Sequence, residues 1–217
     1  FWEIYHLDSI SGQWDYIEPM LFGYATGKII ESFTRFYGLK NKKIVSHFHE
    51  WMTGAGLLYL KEYQPQIGLV FTAHATVVGR ALAANIQPLY KDLLSFSGDE
   101  KAVEYGVVAK QSVEKITANQ ADVFTTVSDI TARECLQFLE KPVDLITPNG
   151  INENFFSNAE EMDANRIPAR KRLLEVASLV QSENFPDDSL LVATSGRYEF
   201  RNKGIDLFLD ALGDINR

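Results

Sequence analysis

Cysteine is almost absent from this sequence, and its scarcity limits both covalent cross-linking and metal binding. Cys135 is the only cysteine among 217 residues, so no disulfide can form within the chain. His47 and His49 stand two residues apart on one strand, but no cysteine or second histidine pair completes a set of metal ligands. We therefore expect no metal site. A lone thiol is also typical of a reducing cytoplasm, where we expect the protein to reside.

Long apolar runs and an excess of positive charge are lacking too. No run approaches the ~20 apolar residues that cross a bilayer, and residues 1–3 do not begin a signal peptide. The 21 Lys and Arg residues are outnumbered by 29 Asp and Glu residues, which gives a formal net charge of −8. Because nucleic acids attract cationic surfaces, we expect neither a nucleic acid nor a membrane as a partner.

Glycine-rich phosphate loops form a third absence. The chain contains neither a Gly-x4-Gly-Lys-Ser/Thr nor a Gly-x-Gly-x-x-Gly sequence. A bound phosphate would therefore be held by side chains and a helix end rather than by a glycine cradle.

Hydrophobic residues make up 46% of the chain and follow two alternating patterns. Short, nearly continuous apolar runs predict strands at 43–48, 67–73, 122–127, 143–146 and 189–195. Helical spacing of apolar residues predicts helices at 21–37, 51–63, 76–84, 101–119, 129–139, 164–181 and 203–212. Strands that alternate with helices imply right-handed crossovers, so the fold class is α/β with a parallel sheet and flanking helices.

A change in composition near Pro148–Ile151 marks a candidate domain boundary. The residues that follow, up to position 188, are rich in Asn, Asp, Glu, Arg and Ser. The chain has no initiator methionine, opens on Phe1-Trp2 and stops directly after a helical pattern. We therefore expect it to be an internal fragment of a longer protein.

Polar side chains follow the first two predicted strands, at the sheet edge where open parallel sheets bind ligands. His49 and Glu50 end the first strand, and His74 ends the second, with Arg80 further along the next helix. The start of that helix would offer free N–H groups to an anion, and Arg80 could neutralise a phosphate. The histidines could equally be buried and hydrogen-bonded, and a lone arginine commonly forms only a surface ion pair.

Two later strand ends carry further candidate ligands. Asn149 follows a strand within a Pro-Asn-Gly sequence, although these residue types also make ordinary turns. Arg197 and Lys203 bracket the loop after the last predicted strand. Two cations at such a junction can bind a pyrophosphate.

These loops, in this order, resemble the glycogen synthases of the animal and fungal type. The most specific match is Gly196-Arg197-Tyr198-Glu199-Phe200 with Asn202-Lys203-Gly204. Other matching stretches lie mostly at strand ends, at 47–54, 71–76, 79–80, 121–128 and 147–152. The resemblance extends from about residue 20 to residue 217 and is patchy at 85–105 and 155–190.

The resemblance implies two facing Rossmann-like domains, the GT-B fold, with most of the first domain at 1–148 and the hinge and start of the second at 149–217. It implies that His74 contacts the donor glucose and that Arg197 and Lys203 bind its pyrophosphate, which makes these three residues catalytic. Substrate-binding roles follow for Arg80, Asn149, Glu50 and His49. Segments outside this chain would complete the active site, so we expect the fragment alone to be inactive.

The implied reaction transfers glucose from UDP-glucose to the non-reducing end of an α-1,4-glucan such as glycogen, with retention and without a metal or cofactor. Preorganised arginine and lysine side chains would neutralise the leaving phosphate. The resemblance further implies a homo-oligomer. Two alternatives stay open: another retaining glycosyltransferase of this fold with a different donor or acceptor, and a non-catalytic glucan-binding module.

Overall fold

The computed structural model describes residues 2–152 and 159–215. The chain divides into two compact units, Phe1–Asn149 and Gly150–Arg217. Within the described ranges, no helix is both long and apolar enough to cross a membrane.

The first unit is built on a four-stranded sheet in the order β1-β2-β3-β4, in which every neighbouring pair is parallel. The strands are β1 (Val45–His49), β2 (Gly68–Ala73), β3 (Val123–Thr126) and β4 (Leu145–Ile146). Each connection between them contains at least one helix, as parallel pairing requires. The predicted α/β class with a parallel sheet is confirmed, and so are the first four predicted strands.

Helices flank this sheet. Those described within residues 2–149 are α1 (Trp2–Tyr5), α2 (Trp14–Phe36), α3 (Gly54–Tyr63), α4 (Val77–Ala84), α5 (Gly98–Glu104), α6 (Val108–Gln120) and α7 (Asp129–Leu139). Short 3₁₀ turns lie at Leu39–Asn41, Trp51–Thr53 and Leu93–Ser95. Thr76 and Ser128 cap α4 and α7 as predicted, because their side-chain oxygens accept backbone N–H groups of the first helical turns.

The core lies between the sheet and its covering helices. β2 has a strand on each side, and its Phe71 stacks on Phe124 of β3 with ring centroids 5.7 Å apart. The close contact between α2 and α3 depends on glycine: a Cβ placed on Gly56 would lie 2.5 Å from the carbonyl oxygen of Gly23. The same Cβ would lie 2.8 Å from Phe48 Cε1, so this close packing extends to β1.

Several predicted boundaries in the first unit are wrong. α2 begins at Trp14 rather than at residue 21, because Pro19 in its second turn removes one intrahelical bond without ending the helix. The single helix predicted at 101–119 is two helices, α5 and α6, which are separated at Gly106. Gly106 adopts a left-handed φ of 66°, which breaks the helical path.

The second unit contains α8 (Ala159–Gln181) and α9 (Ile205–Ile215), where the sequence predicted helices with slightly different bounds. The predicted strand at 189–195 is wrong. The described part of this unit contains no strand, so the apolar run has no partner with which to form a ladder. Arg170 of α8 instead donates hydrogen bonds to the carbonyl oxygens of Asp187 and Ser189, which ties the start of this segment to α8.

Candidate active site

β1 presents two histidines on one face of the sheet. Side chains alternate along a strand, so Phe48 is buried in the core while His47 and His49 are exposed on the opposite face. The two imidazole rings have centroids 4.1 Å apart. His47 Nε2 lies 2.7 Å from Thr72 Oγ1 of β2, whereas His49 reaches the end of the strand.

Glu50, the next residue, has a backbone conformation that residues with side chains rarely adopt. Its φ of 64° and ψ of 158° fall in a region populated almost only by glycine. Its N–H donates to the Thr72 carbonyl oxygen at 2.9 Å, and its own carbonyl oxygen accepts the N–H of Thr53 at 3.1 Å. Such strain costs about 1–3 kcal/mol, persists only where the surroundings impose it, and is concentrated at functional sites.

The loop His74–Thr76 joins β2 to α4, and Glu50 reaches it from the neighbouring strand. Glu50 Oε1 accepts the backbone N–H of His74 at 2.8 Å, and Glu50 Oε2 lies 3.6 Å from Arg80 Nη2. His49 Nδ1 lies 3.0 Å from His74 Nε2. The structure therefore brings four of the predicted site residues together at the C-terminal edge of the sheet.

The electrostatics of this cluster favour a neutral His49 beside an accessible cation. Burial lowers the pKa of His49, and the nearby His47 and His74 lower it further, while Glu50 opposes them. A neutral imidazole can donate or accept in the contact with His74. The Arg80 side chain is 52% exposed, so its guanidinium can still meet an anion from outside.

At the start of α4, two of the N–H groups that the sequence predicted to be free for an anion already have acceptors in the protein. The N–H of Val77 donates to Glu114 Oε2 at 2.9 Å, and the N–H of Gly79 donates to Thr76 Oγ1 at 3.0 Å. Both donors are satisfied within the protein. A phosphate at this edge would therefore be bound by Arg80 rather than by these helix-end amides.

Two buried glutamates support the loop, and the sequence analysis missed both. Glu114 of α6 is 0% exposed and Glu134 of α7 is 4% exposed. Glu134 Oε2 accepts the Thr76 hydroxyl at 2.7 Å, and its Oε1 accepts the Tyr90 hydroxyl at 2.9 Å. A signal was available for Glu114, which stands four residues before the buried Ala118 and so shares its helix face.

Asn149 is not joined to this cluster by any hydrogen bond or ion pair that the structure describes. It is exposed in the segment after β4, at the end of the first unit. Among the described residues, no hydrogen bond or ion pair joins it to His49, Glu50, His74 or Arg80.

Arg197 and Lys203 share one loop of the second unit, just before α9. A Cβ placed on Gly196 would lie 3.7 Å from Lys203 Cδ, so the lysine side chain runs beside the residue that precedes Arg197. Arg197 Nη2 lies 3.0 Å from Glu199 Oε1, and its side chain is 71% exposed. The loop thus carries both cationic side chains that the sequence analysis singled out.

Residues 2–152 and 159–215 contain no group of three or more His, Cys, Asp or Glu side chains arranged to hold a metal ion. The histidines of the cluster direct ring nitrogens at each other and at Thr72 instead.

A parallel sheet with polar loops at the C-terminal ends of its strands defines a Rossmann-like ligand-binding architecture. Comparison with known proteins narrows this class. The family model for glycogen synthase matches residues 1–217, which is the whole chain. The chain belongs to the glycogen synthase family.

Curated relatives agree with this assignment. A glycogen [starch] synthase of Neurospora crassa is 33% identical over 218 aligned residues, which cover 99% of this chain and 31% of that protein. A glycogen [starch] synthase of Dictyostelium discoideum is 34% identical over 92% of this chain and 23% of its own length. The liver glycogen [starch] synthase of Rattus norvegicus is 33% identical over 92% of this chain and 28% of its own length. The chain therefore spans less than a third of these relatives.

Proposed function

We propose that the full-length protein carrying this chain is a retaining glycosyltransferase that moves glucose from UDP-glucose to the non-reducing end of an α-1,4-glucan. One observation carries the proposal beyond family membership. The carboxylate of Glu50 contacts both the His74 backbone and the Arg80 guanidinium at the ligand-binding edge of the sheet.

His74 is the residue that contacts the donor glucose. Its loop is fixed on the strand side by Glu50 and its ring is fixed by His49, so the imidazole is held in place before substrate arrives. A preorganised polar group beside the anomeric carbon stabilises the positive charge that develops there during transfer. Glu50 and His49 line the sugar side of the same site, and Asn149 is a further substrate contact.

Arg80 contacts a donor phosphate. Its ion pair with Glu50 is long, at 3.6 Å, and the arginine is half exposed, so the pair contributes little stability. A phosphate can bind a guanidinium bidentately and through charge-assisted hydrogen bonds, which makes it the stronger partner. Donor binding therefore draws Arg80 away from Glu50.

Arg197 and Lys203 neutralise the donor pyrophosphate as the glycosidic bond to the leaving group breaks. The acceptor hydroxyl attacks the same face of the anomeric carbon, and its proton passes to a leaving phosphate oxygen, so configuration is retained. Because side-chain cations balance the leaving charge, the proposed reaction needs no metal or cofactor.

The partners of this reaction are the nucleotide-sugar donor and the glucan acceptor. We place the enzyme in the cytoplasm because of its cysteine usage, and as a homo-oligomer because of its family.

The test is synthesis of glucan from labelled UDP-glucose by the full-length protein, beside its His74→Ala and Arg197→Ala variants. Arg172→Ala is a matched control, since Arg172 is also exposed and lies 3.2 Å from a nearby glutamate, Glu175. We expect activity in the wild type and the control and its collapse in the two site variants. Transfer only from another sugar nucleotide would instead indicate a different glycosyltransferase, and glucan binding without transfer would indicate a binding module.

A further inference from the structure

Glu114 is a buried carboxyl that the proposed reaction does not use. It lies on α6 at 0% exposure, and the charges of Glu50, Arg80 and Glu134 act on it. Burying a carboxyl group without full hydrogen bonding is unfavourable, and Glu114 Oε1 has no hydrogen-bond partner among the described residues. The hydrogen bond that the structure gives Glu114 is made by its other carboxyl oxygen.

That other oxygen, Oε2, accepts the N–H of Val77 at 2.9 Å. Val77 is the first residue of α4, so its N–H has no partner inside the helix. The contact bridges 37 positions of sequence and fixes the helix start to α6. On the strand side of the same loop, Glu50 holds the N–H of His74. The backbone on either side of Ala75 and Thr76 is therefore held by one carboxyl at each end.

The space around this attachment is too tight for the helix start to settle elsewhere. Thr76 donates its hydroxyl to Glu134 at 2.7 Å, next to the Glu114 contact. A Cβ placed on Gly79 would lie 2.1 Å from Glu134 Oε2 and 2.5 Å from Thr76 Oγ1. A shift of the first turn of α4 would move His74 at one end and Arg80 at the other.

The raised pKa of Glu114 is compatible with binding of an anionic donor near the start of α4. Burial raises its pKa to about 8, and Glu50 and Glu134 raise it as well, whereas the Val77 N–H and Arg80 lower it. At neutral pH the carboxyl is mostly uncharged and can hold the loop without repelling a phosphate at Arg80.

We propose that Glu114 is a positioning residue, which acts through Val77 to hold His74 and Arg80 in place for the donor. The identity of the donor in this inference rests on the proposed function. The attachment of the loop to Glu114 and Glu50 rests only on the hydrogen bonds described above.

Two measurements on the full-length protein test it. The first is hydrogen exchange at the amides of residues 74–80, measured without substrate. The second is kcat and KM for UDP-glucose. Glu114→Met preserves volume but cannot accept the Val77 N–H, and Glu114→Gln keeps an acceptor oxygen. Val113→Ala, on the same helix and also buried, controls for lost stability alone.

We expect Glu114→Met to speed exchange at Val77 and to lower kcat/KM by about a hundredfold, the size of effect that a small displacement of reacting groups produces. Glu114→Gln should restore both values to near wild type, and Val113→Ala should leave both near wild type despite a lower unfolding temperature. Wild-type exchange in Glu114→Met, or equal losses in Val113→Ala, would overturn the inference. Hydrogen exchange needs no substrate, so it tests whether Glu114 holds the loop even if the wild type makes no glucan. A wild type that makes no glucan would overturn the proposed function instead.

Discussion

The backbone N–H of His74 donates to Glu50 Oε1 at 2.8 Å, across the ends of two neighbouring parallel strands. The strained turn at Glu50 makes this bond possible, because it turns the chain out of β1 and directs the carboxylate at the next loop. The same carboxylate also faces Arg80.

Replacing Glu50 separates the backbone strain from the side-chain contacts. Glu50→Ala and Glu50→Gly lose the same side-chain contacts. Only glycine adopts a φ of 64° and ψ of 158° without steric strain. We expect Glu50→Gly to be more stable to denaturant than Glu50→Ala by about 1 kcal/mol. Both should lose transferase activity. Equal stabilities of the two variants would contradict the backbone strain that these angles indicate.

Replacing Arg80 tests its role as a phosphate contact. Arg80→Ala should raise KM for UDP-glucose by about 10- to 100-fold, the value of one charge-assisted hydrogen-bonded contact, with a smaller effect on kcat. Arg80→Lys should fall between, because an ammonium group lacks the planar fork of a guanidinium. Arg172→Ala, on the exposed side of α8, should leave KM unchanged. Steady-state kinetics with UDP-glucose measure these values, and an unaltered KM in Arg80→Ala would contradict a contact between Arg80 and the donor phosphate.

The sequence was sufficient to predict the strands and loops that carry the cluster of His49, Glu50, His74 and Arg80. The short apolar run of β1 and the nearly continuous apolar run of β2 could both be recognised as strands. The topology of parallel sheets then placed His49 and His74, which lie at the ends of these strands, at one edge. The proximity of these residues could therefore be predicted from the apolar pattern of the strands and from the rule that the carboxyl ends of parallel strands share one edge of the sheet. Its chemical roles stay predictions.

What the sequence missed depends on distant partners. Glu114 meets Val77 and Glu134 meets Thr76 only after α6 and α7 have packed on α4, at separations of 37 and 58 residues. The same limit explains the false strand at 189–195, because an apolar run predicts burial but cannot supply a neighbouring strand.

The raised pKa of Glu114 predicts a pH dependence of stability. A group that binds its proton more tightly when folded stabilises the fold below its unfolded pKa, near 4.5, and this stability is lost as pH rises to about 8. The wild type should therefore lose stability relative to Glu114→Gln between about pH 5 and pH 8. Glu50, Arg80, Glu134 and Cys135 all surround this carboxyl and are unchanged in the variant. Denaturation curves at several pH values in this range give the free energy of unfolding of both proteins. A constant difference between the two proteins across the range would show that Glu114 does not titrate there.

Gly79→Ala should disturb the support of the His74 loop without removing any polar group. The new methyl would lie 2.1 Å from Glu134 Oε2 and 2.5 Å from Thr76 Oγ1, so the hydrogen bond between these two side chains must break or shift. We expect a loss of about 1–3 kcal/mol in the free energy of unfolding, as overpacking of a core produces, together with a lower kcat/KM. Gly213→Ala is the matched control. It places the same methyl in α9, where nothing lies within 4 Å, and should stabilise the protein by up to about 1 kcal/mol because alanine favours helix. If both substitutions proved neutral or stabilising, α4 would not be held against Glu134 as tightly as the contacts around Gly79 require.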